Sequence, residues 1–255
     1  MPPLVRYFVL AFALSWGYWI PDALAGGHWS HFPGLMGPGI AALLVTGRSG
    51  RRPLWQAMTR WQVERRWYAA ALVPLAVGAT VVAAQVAVGH GPSWSALATM
   101  DGLPMVGWLG VALLVLVVNG YGEETGWRGY AWPRLRARHG LPRSALLLAV
   151  PWAVWHVPTF WIDSGMRGFS VWLLPGFFVG MAAGAVVLGW IYERCGSVLV
   201  VALWHTMLNM ASATRGTTGA APLVSMVVIG WAIWILRQDR VAASAPPEQR
   251  VPTGV

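Results

Sequence analysis

The stretch LPMVGWLGVALLVLVVNGYGEETGWR, residues 103–128, decides the class of this protein. It opens on an almost unbroken apolar run from Leu103 to Val118 and closes on two adjacent glutamates, Glu123 and Glu124, with Arg128 one turn further on. Such a run approaches the roughly 20 residues that carry a helix across a bilayer. A carboxylate at membrane depth costs roughly 2.5–3.5 kcal/mol on insertion scales. The chain has only 9 acidic residues and sets two of them side by side here. Paired charge in an apolar setting marks a functional site in a membrane protein.

Composition agrees. The chain has 255 residues, 56% of them hydrophobic and only 11% charged, with a mean hydropathy of +0.54, which excludes a soluble globular domain. Eight apolar segments stand out, at about 4–25, 33–47, 67–89, 103–122, 144–162, 170–192, 197–213 and 220–236. The expected fold is all-α, a polytopic membrane protein with about eight transmembrane helices. Residues 1–241 read as a single membrane-embedded helical domain, with a motif-bearing core at about 100–212. Residues 242–255, rich in Pro, Ala and Ser, read as a disordered cytoplasmic tail. The second and seventh segments are short and interrupted by Gly or polar residues, so they are expected to be tilted, broken or shielded by neighbours. Ala23-Leu24-Ala25 before Gly26-Gly27 imitates a signal-peptide cleavage site, but the long, aromatic-rich first segment and the seven that follow favour a retained helix. One cysteine, Cys195, excludes an intrachain disulfide framework and a cysteine-based zinc site.

The net charge of +9 comes from arginine alone, since the chain has no lysine. The arginines cluster between apolar segments, which points to membrane topology and not to a nucleic-acid partner. Arg48, Arg51, Arg52, Arg60, Arg65 and Arg66 lie in the second connection. Arg134, Arg136, Arg138 and Arg143 lie in the fourth, Arg194 in the sixth, Arg237, Arg240 and Arg250 after the last segment, and Arg6 before the first. These fifteen fall on one side, against Arg167 and Arg215 on the other. The positive-inside rule then puts both termini in the cytoplasm of a multi-pass cell-membrane protein, and the composition suggests a bacterial one. The stretch Trp55–Trp67 mixes Arg with Trp, Met and Val and reads either as an amphipathic helix on the inner surface or as a polar loop.

Three further polar residues stand inside apolar segments. His156 occurs in Val154-Trp155-His156-Val157-Pro158, and His205 and Asn209 lie four apart on what a helix makes one face. Taken singly, an intramembrane histidine or asparagine is usually a hydrogen-bonding contact between helices. Taken together, two carboxylates, two imidazoles and a carboxamide from three helices are hidden from lipid most simply by meeting at one point. A carboxylate with an imidazole can hold a water and take its proton. A second histidine with an asparagine offers donors to an oxyanion. The same groups, Glu123, His156 and His205, are also the set that would ligate zinc or another divalent metal. The pattern is not the His-Glu-x-x-His zincin helix, and no third histidine is placed to complete a conventional site, so a metal-free reaction is favoured.

In these residues the chain resembles the CPBP family, the CAAX proteases and bacteriocin-processing enzymes also called the Abi family. The resemblance is carried by Glu123-Glu124-x-x-x-Arg128, by Trp155-His156-Val157-Pro158 and by His205-x-x-x-Asn209, in that order. Flanking pieces, Gly37-Pro38, Trp132-Pro133-Arg134-Leu135 and Gly189-Trp190-Ile191-Tyr192, are similar too. It implies an eight-span intramembrane endopeptidase that cuts a membrane-associated peptide or protein. Glu123 would activate water with His156, Glu124 and Arg128 would hold the site's geometry and charge, and His205 and Asn209 would form the oxyanion side. Family members are described both as metalloproteases and as metal-independent glutamate proteases. The alternatives are a non-catalytic membrane scaffold or bacteriocin-immunity protein, and an ion-coupled transporter using the carboxylates as a relay.

Straight helices with these boundaries set one conflict. The fourth segment would leave Glu123 near the cytoplasmic edge, whereas His156 would lie roughly 18 Å along the fifth. Either Pro151 and Pro158 displace the fifth helix, or the fourth continues as far as Arg138.

Overall fold

A computed structural model of the chain describes residues 1–163, 166–167 and 170–244. Among these the protein is all-α, a bundle of apolar helices with no strand. In chain order the helices are α1 (Pro3–Leu24), α2 (Phe32–Val45, stepped at Met36), α3 (Arg48–Thr59) and α4 (Arg65–Ala87). There follow α5 (107–136), α6 (Leu141–Trp155, with a further turn at Thr159–Ile162), α7 (Leu174–Cys195), α8 (Val198–Ser212) and α9 (Ala221–Ser244). The stretches around α1, α4, α6, α7 and α9 are long and apolar enough to cross a membrane, while α2 and α8 are shorter. With α5 these make eight apolar helices, in the places the hydropathy gives.

Local sequence sets the boundaries. Prolines that need no N–H partner open α1 and α6. Gly196, at φ +60°, closes α7 in the left-handed conformation. The Ser197 hydroxyl then caps α8 by accepting from the Val200 N–H at 3.3 Å. The helix after the first arginine cluster differs from expectation. It is α3 at Arg48–Thr59, which overlaps the Trp55–Trp67 stretch only at 55–59, because residues 60–64 are not helical and α4 begins at Arg65. The C-terminal helix runs to Ser244, into the expected tail, and the remainder of that tail, 245–255, lies outside the described residues.

The fifth helix carries the site, and its shape resolves the conflict of depths. It does not end at 122 but continues to Arg136. Glu123 therefore sits thirteen residues before that end, and His156 fifteen after Leu141 on the antiparallel α6, roughly 20 Å in both cases. The helix is not regular. Leu116–Tyr121 and Thr125–Ala131 are wound as π-helix on either side of Gly122–Glu124. Such wide turns are rare and recur at functional sites, where they re-aim side chains.

Glycines let the neighbouring backbones press on this segment. A Cβ on Gly120 would come within 2.8 Å of the Ala202 carbonyl of α8, and one on Gly39 of α2 within 2.7 Å of the Gly122 carbonyl. This is the small-residue packing that brings membrane helices close. Helices α2 and α8 thus clamp the glutamate-bearing turn, and α8 packs in turn on α4.

Candidate active site

Both glutamates are fully buried, yet they face different partners. The Glu123 carboxylate accepts three N–H groups. Asn119 Nδ2 donates to Oε1 at 2.6 Å, and the indoles of Trp152 and Trp127 donate to Oε2 at 2.7 and 3.3 Å. Two of these donors lie four residues before and after it on α5, and the third comes from α6. The Glu124 carboxylate takes two partners on Oε1, the Arg128 guanidinium through Nη1 at 2.9 Å and the His205 ring through Nδ1 at 2.8 Å. Arg128 is buried as completely as Glu124. Its guanidinium lies over the Trp152 ring at 4.3 Å and donates to the Gly184 carbonyl at 3.4 Å. A buried carboxylate held by a buried guanidinium is an assembly from which neither member can be removed cheaply.

The histidines are oriented by what their Nδ1 atoms touch. His156 Nδ1 lies 2.8 Å from the Trp152 carbonyl. A carbonyl oxygen only accepts, so Nδ1 carries the proton, and in the neutral ring Nε2 is the basic nitrogen. His205 Nδ1 is engaged by Glu124, which turns the opposite edge of the ring away from that carboxylate. Asn209 donates from Nδ2 to Asn119 Oδ1, so Asn209, Asn119 and Glu123 form one hydrogen-bonded chain across α8 and α5.

A cavity of about 340 Å³ joins these groups. Asn119, Glu123, His156, His205 and Asn209 all line it, while Glu124 and Arg128 lie behind its wall. The six residues singled out in the sequence therefore meet in one neighbourhood: four on the cavity and two supporting it. Glu123 and His156 share the cavity, and His156 is hydrogen-bonded not to Glu123 but to Trp152. Among the described residues, no three His, Cys, Asp or Glu side chains come together in a set that could hold a metal ion. Glu123, His156 and His205 line one space without forming such a set.

Sequence reading missed Asn119, Trp127 and Trp152. Asn119 and Trp127 stand four residues to either side of Glu123, a spacing that on a helix announces contact. Trp152 stands four before His156, yet its indole is one of 18 in the chain and carries no mark of its own. It contacts Glu123, Arg128 and both histidine rings, the last at centroid distances of 5.8 Å to His205 and 6.1 Å to His156.

Comparison with known proteins falls on this same part of the chain. Residues 105–211 match the sequence model of the Rce1-like family, described as type II CAAX prenyl endopeptidase Rce1-like. The chain is also similar to CAAX prenyl protease 2 of Methanococcus maripaludis, at 25% identity over 103 residues. That match covers 38% of this chain and 38% of the length of the relative. The matched segment runs from α5 to the end of α8 and contains every residue of the site described above.

Proposed function

We propose that this chain, whose residues 105–211 match the Rce1-like family, is an intramembrane endopeptidase of the CAAX-protease kind. It hydrolyses a peptide bond in a membrane-associated peptide or protein, with water activated by Glu123 and His156. The observation that carries this reading is the asymmetry of the two carboxylates. Glu123 opens on the cavity with neutral donors around it, and Glu124 is turned away, paired with the Arg128 guanidinium and the His205 ring.

In the proposed reaction a water sits in the cavity between the Glu123 carboxylate and the basic Nε2 of His156. One of them takes its proton as the oxygen attacks the scissile carbonyl. The three N–H donors on Glu123 hold that carboxylate in one orientation, so no rotamer search precedes each turnover. His205 and Asn209 stand on the opposite helix, where the tetrahedral oxyanion forms. To donate there His205 needs a proton on Nε2 as well as Nδ1, and Glu124 is the counter-ion that supports it. Asn209 keeps one Nδ2 proton beyond the one it gives Asn119. Donors so placed contribute on the order of 2.7–4 kcal/mol each. The proton taken from water passes to the leaving amine, and carboxylate and imidazole return to their starting states.

The reaction needs no metal in this reading, and the chain sits with both termini in the cytoplasm, following the arginine bias. A scaffold or immunity role would leave the Glu123 carboxylate without a task. The decisive experiment compares the membrane proteome of cells carrying the wild type with that of cells carrying Glu123→Ala. The expected result is one proteolytic fragment present only with the wild type. Identical fragment sets, with the biological effect retained by Glu123→Ala, would leave no place for catalysis.

A further inference from the structure

The cavity is asymmetric across the membrane. Its deep wall is Asn119, Glu123, His156 and His205, and its mouth includes His31, Asp101, Asp163, Ala213 and Arg215. Those mouth residues come from four connections, all at the end of the bundle where α1, α4, α6 and α8 finish. They are tied to one another there. Arg215 pairs with Asp101 at 2.7 Å, His31 lies 3.7 Å from Asp163, and Arg167 of the same connection donates to the Gly27 carbonyl at 2.7 Å. The Arg215 side chain is 66% exposed, so this is the open end.

The opposite end is closed beneath the glutamates. The Glu124–Arg128 pair is wholly buried, and Tyr130, Ala131 and Trp132 below it are nearly so. A Cβ on Gly126 would come within 2.5 Å of the Pro38 carbonyl, so backbone rests on backbone there. A separate hollow at that end, lined by Leu43, Arg51, Leu54 and Trp55 among others, shares no residue with the site.

The arginines say which end is which. Arg48–Arg66, Arg134–Arg143, Arg194 and Arg237–Arg240 lie at the closed end, whereas Arg167 and Arg215 lie at the mouth. A bias of this size orients the closed end to the cytoplasm. We infer that the substrate reaches Glu123 from the extracytoplasmic face, as a short extended segment of an exported or membrane-anchored peptide. This rests on the endopeptidase reading above. A helix about 10–12 Å across fills roughly 120–170 Å³ per residue at 1.5 Å rise. The cavity of about 340 Å³ thus has room for a few residues at a time. A chain end presented in the cytoplasm meets the sealed side.

Access is tested without reference to catalysis. In full-length protein carrying Cys195→Ala, a single cysteine is placed at the mouth by Ala213→Cys or Arg215→Cys, or at the far end by Arg138→Cys. A membrane-impermeant maleimide is then added to spheroplasts or to inverted membrane vesicles. The mouth cysteines are expected to label in spheroplasts only and Arg138→Cys in inverted vesicles only. Labelling of the mouth positions in inverted vesicles, or of neither in spheroplasts, overturns the inference. The fragment lost in Glu123→Ala membranes supplies a second readout: its new terminus is expected in an extracytoplasmic segment beside a membrane span. A cytoplasmic cut overturns the route of access while leaving the endopeptidase reading standing. The absence of any Glu123-dependent fragment, with outward labelling intact, removes the endopeptidase reading and leaves the orientation of the cavity in place.

Discussion

Trp152 shows how much one side chain can organise. Its indole N–H holds Glu123 at 2.7 Å while its ring face supports the Arg128 guanidinium. Trp152→Phe keeps a ring there and removes the donor. Losing a hydrogen bond to a charged group costs about 1.5–3 kcal/mol, so turnover is expected to fall roughly 10- to 100-fold, with kcat affected more than KM. Steady-state cleavage rates in detergent check this, and an unchanged kcat would remove Trp152 from the positioning of Glu123. The Glu124–Arg128 pair predicts a different outcome. Arg128→Met leaves a buried carboxylate short of a partner and is expected to cost about 3–5 kcal/mol of stability. Adding Glu124→Gln to Arg128→Met is expected to recover part of it, read from thermal unfolding of the purified protein. At this scale the sequence announced the ionisable groups well, because charge in an apolar run is conspicuous. It was silent on the neutral donors. Trp127 and Trp152 look like ordinary apolar fillers, and Asn119 looks like the polar end of a span.

At the scale of elements, the fifth helix differs most from a straight reading of hydropathy. Its apolar run ends near Val118, but the helix continues through Arg136 because Glu124 pairs with Arg128 and Glu123 accepts N–H donors from Asn119, Trp127 and Trp152 inside the bundle. Hydropathy scores each residue against lipid and cannot see that pairing. The π-helical turns are equally invisible, since they carry no composition of their own, only an extra residue in the turn. The clamp around them gives a prediction. Gly120→Val or Gly39→Leu must displace backbone of α8 or α5 and is expected to yield protein that is poorly folded or melts well below the wild type. Gly17→Ala, in open space on α1, is expected to behave as wild type. Size-exclusion profiles and melting curves in detergent separate these cases, and a native-like Gly39→Leu would contradict the close packing.

For the whole molecule, the eight apolar helices were legible because a bilayer imposes length and composition on every span. The way they enclose a cavity was not, since that depends on which faces meet. The meeting of α5, α6 and α8 converts three scattered motifs into one site, and the family match, which runs from α5 to α8, contains all three helices. A metal-free hydrolysis predicts that a strong chelator leaves cleavage intact; complete loss restored by zinc would replace Glu123 and His156 as water activators with a metal they ligate.

In the proposed reaction Glu123, and not its neighbour, works on the water. The most direct test is the cleavage rate of purified Glu123→Gln beside that of the wild type, on the substrate identified from the missing fragment. The amide keeps the shape of the side chain and removes its basicity, so the rate is expected to drop by roughly 10²- to 10⁴-fold, the span attributed to general-base catalysis, with folding preserved. A Glu123→Gln enzyme that cleaves at the wild-type rate would mean that Glu123 is not the base.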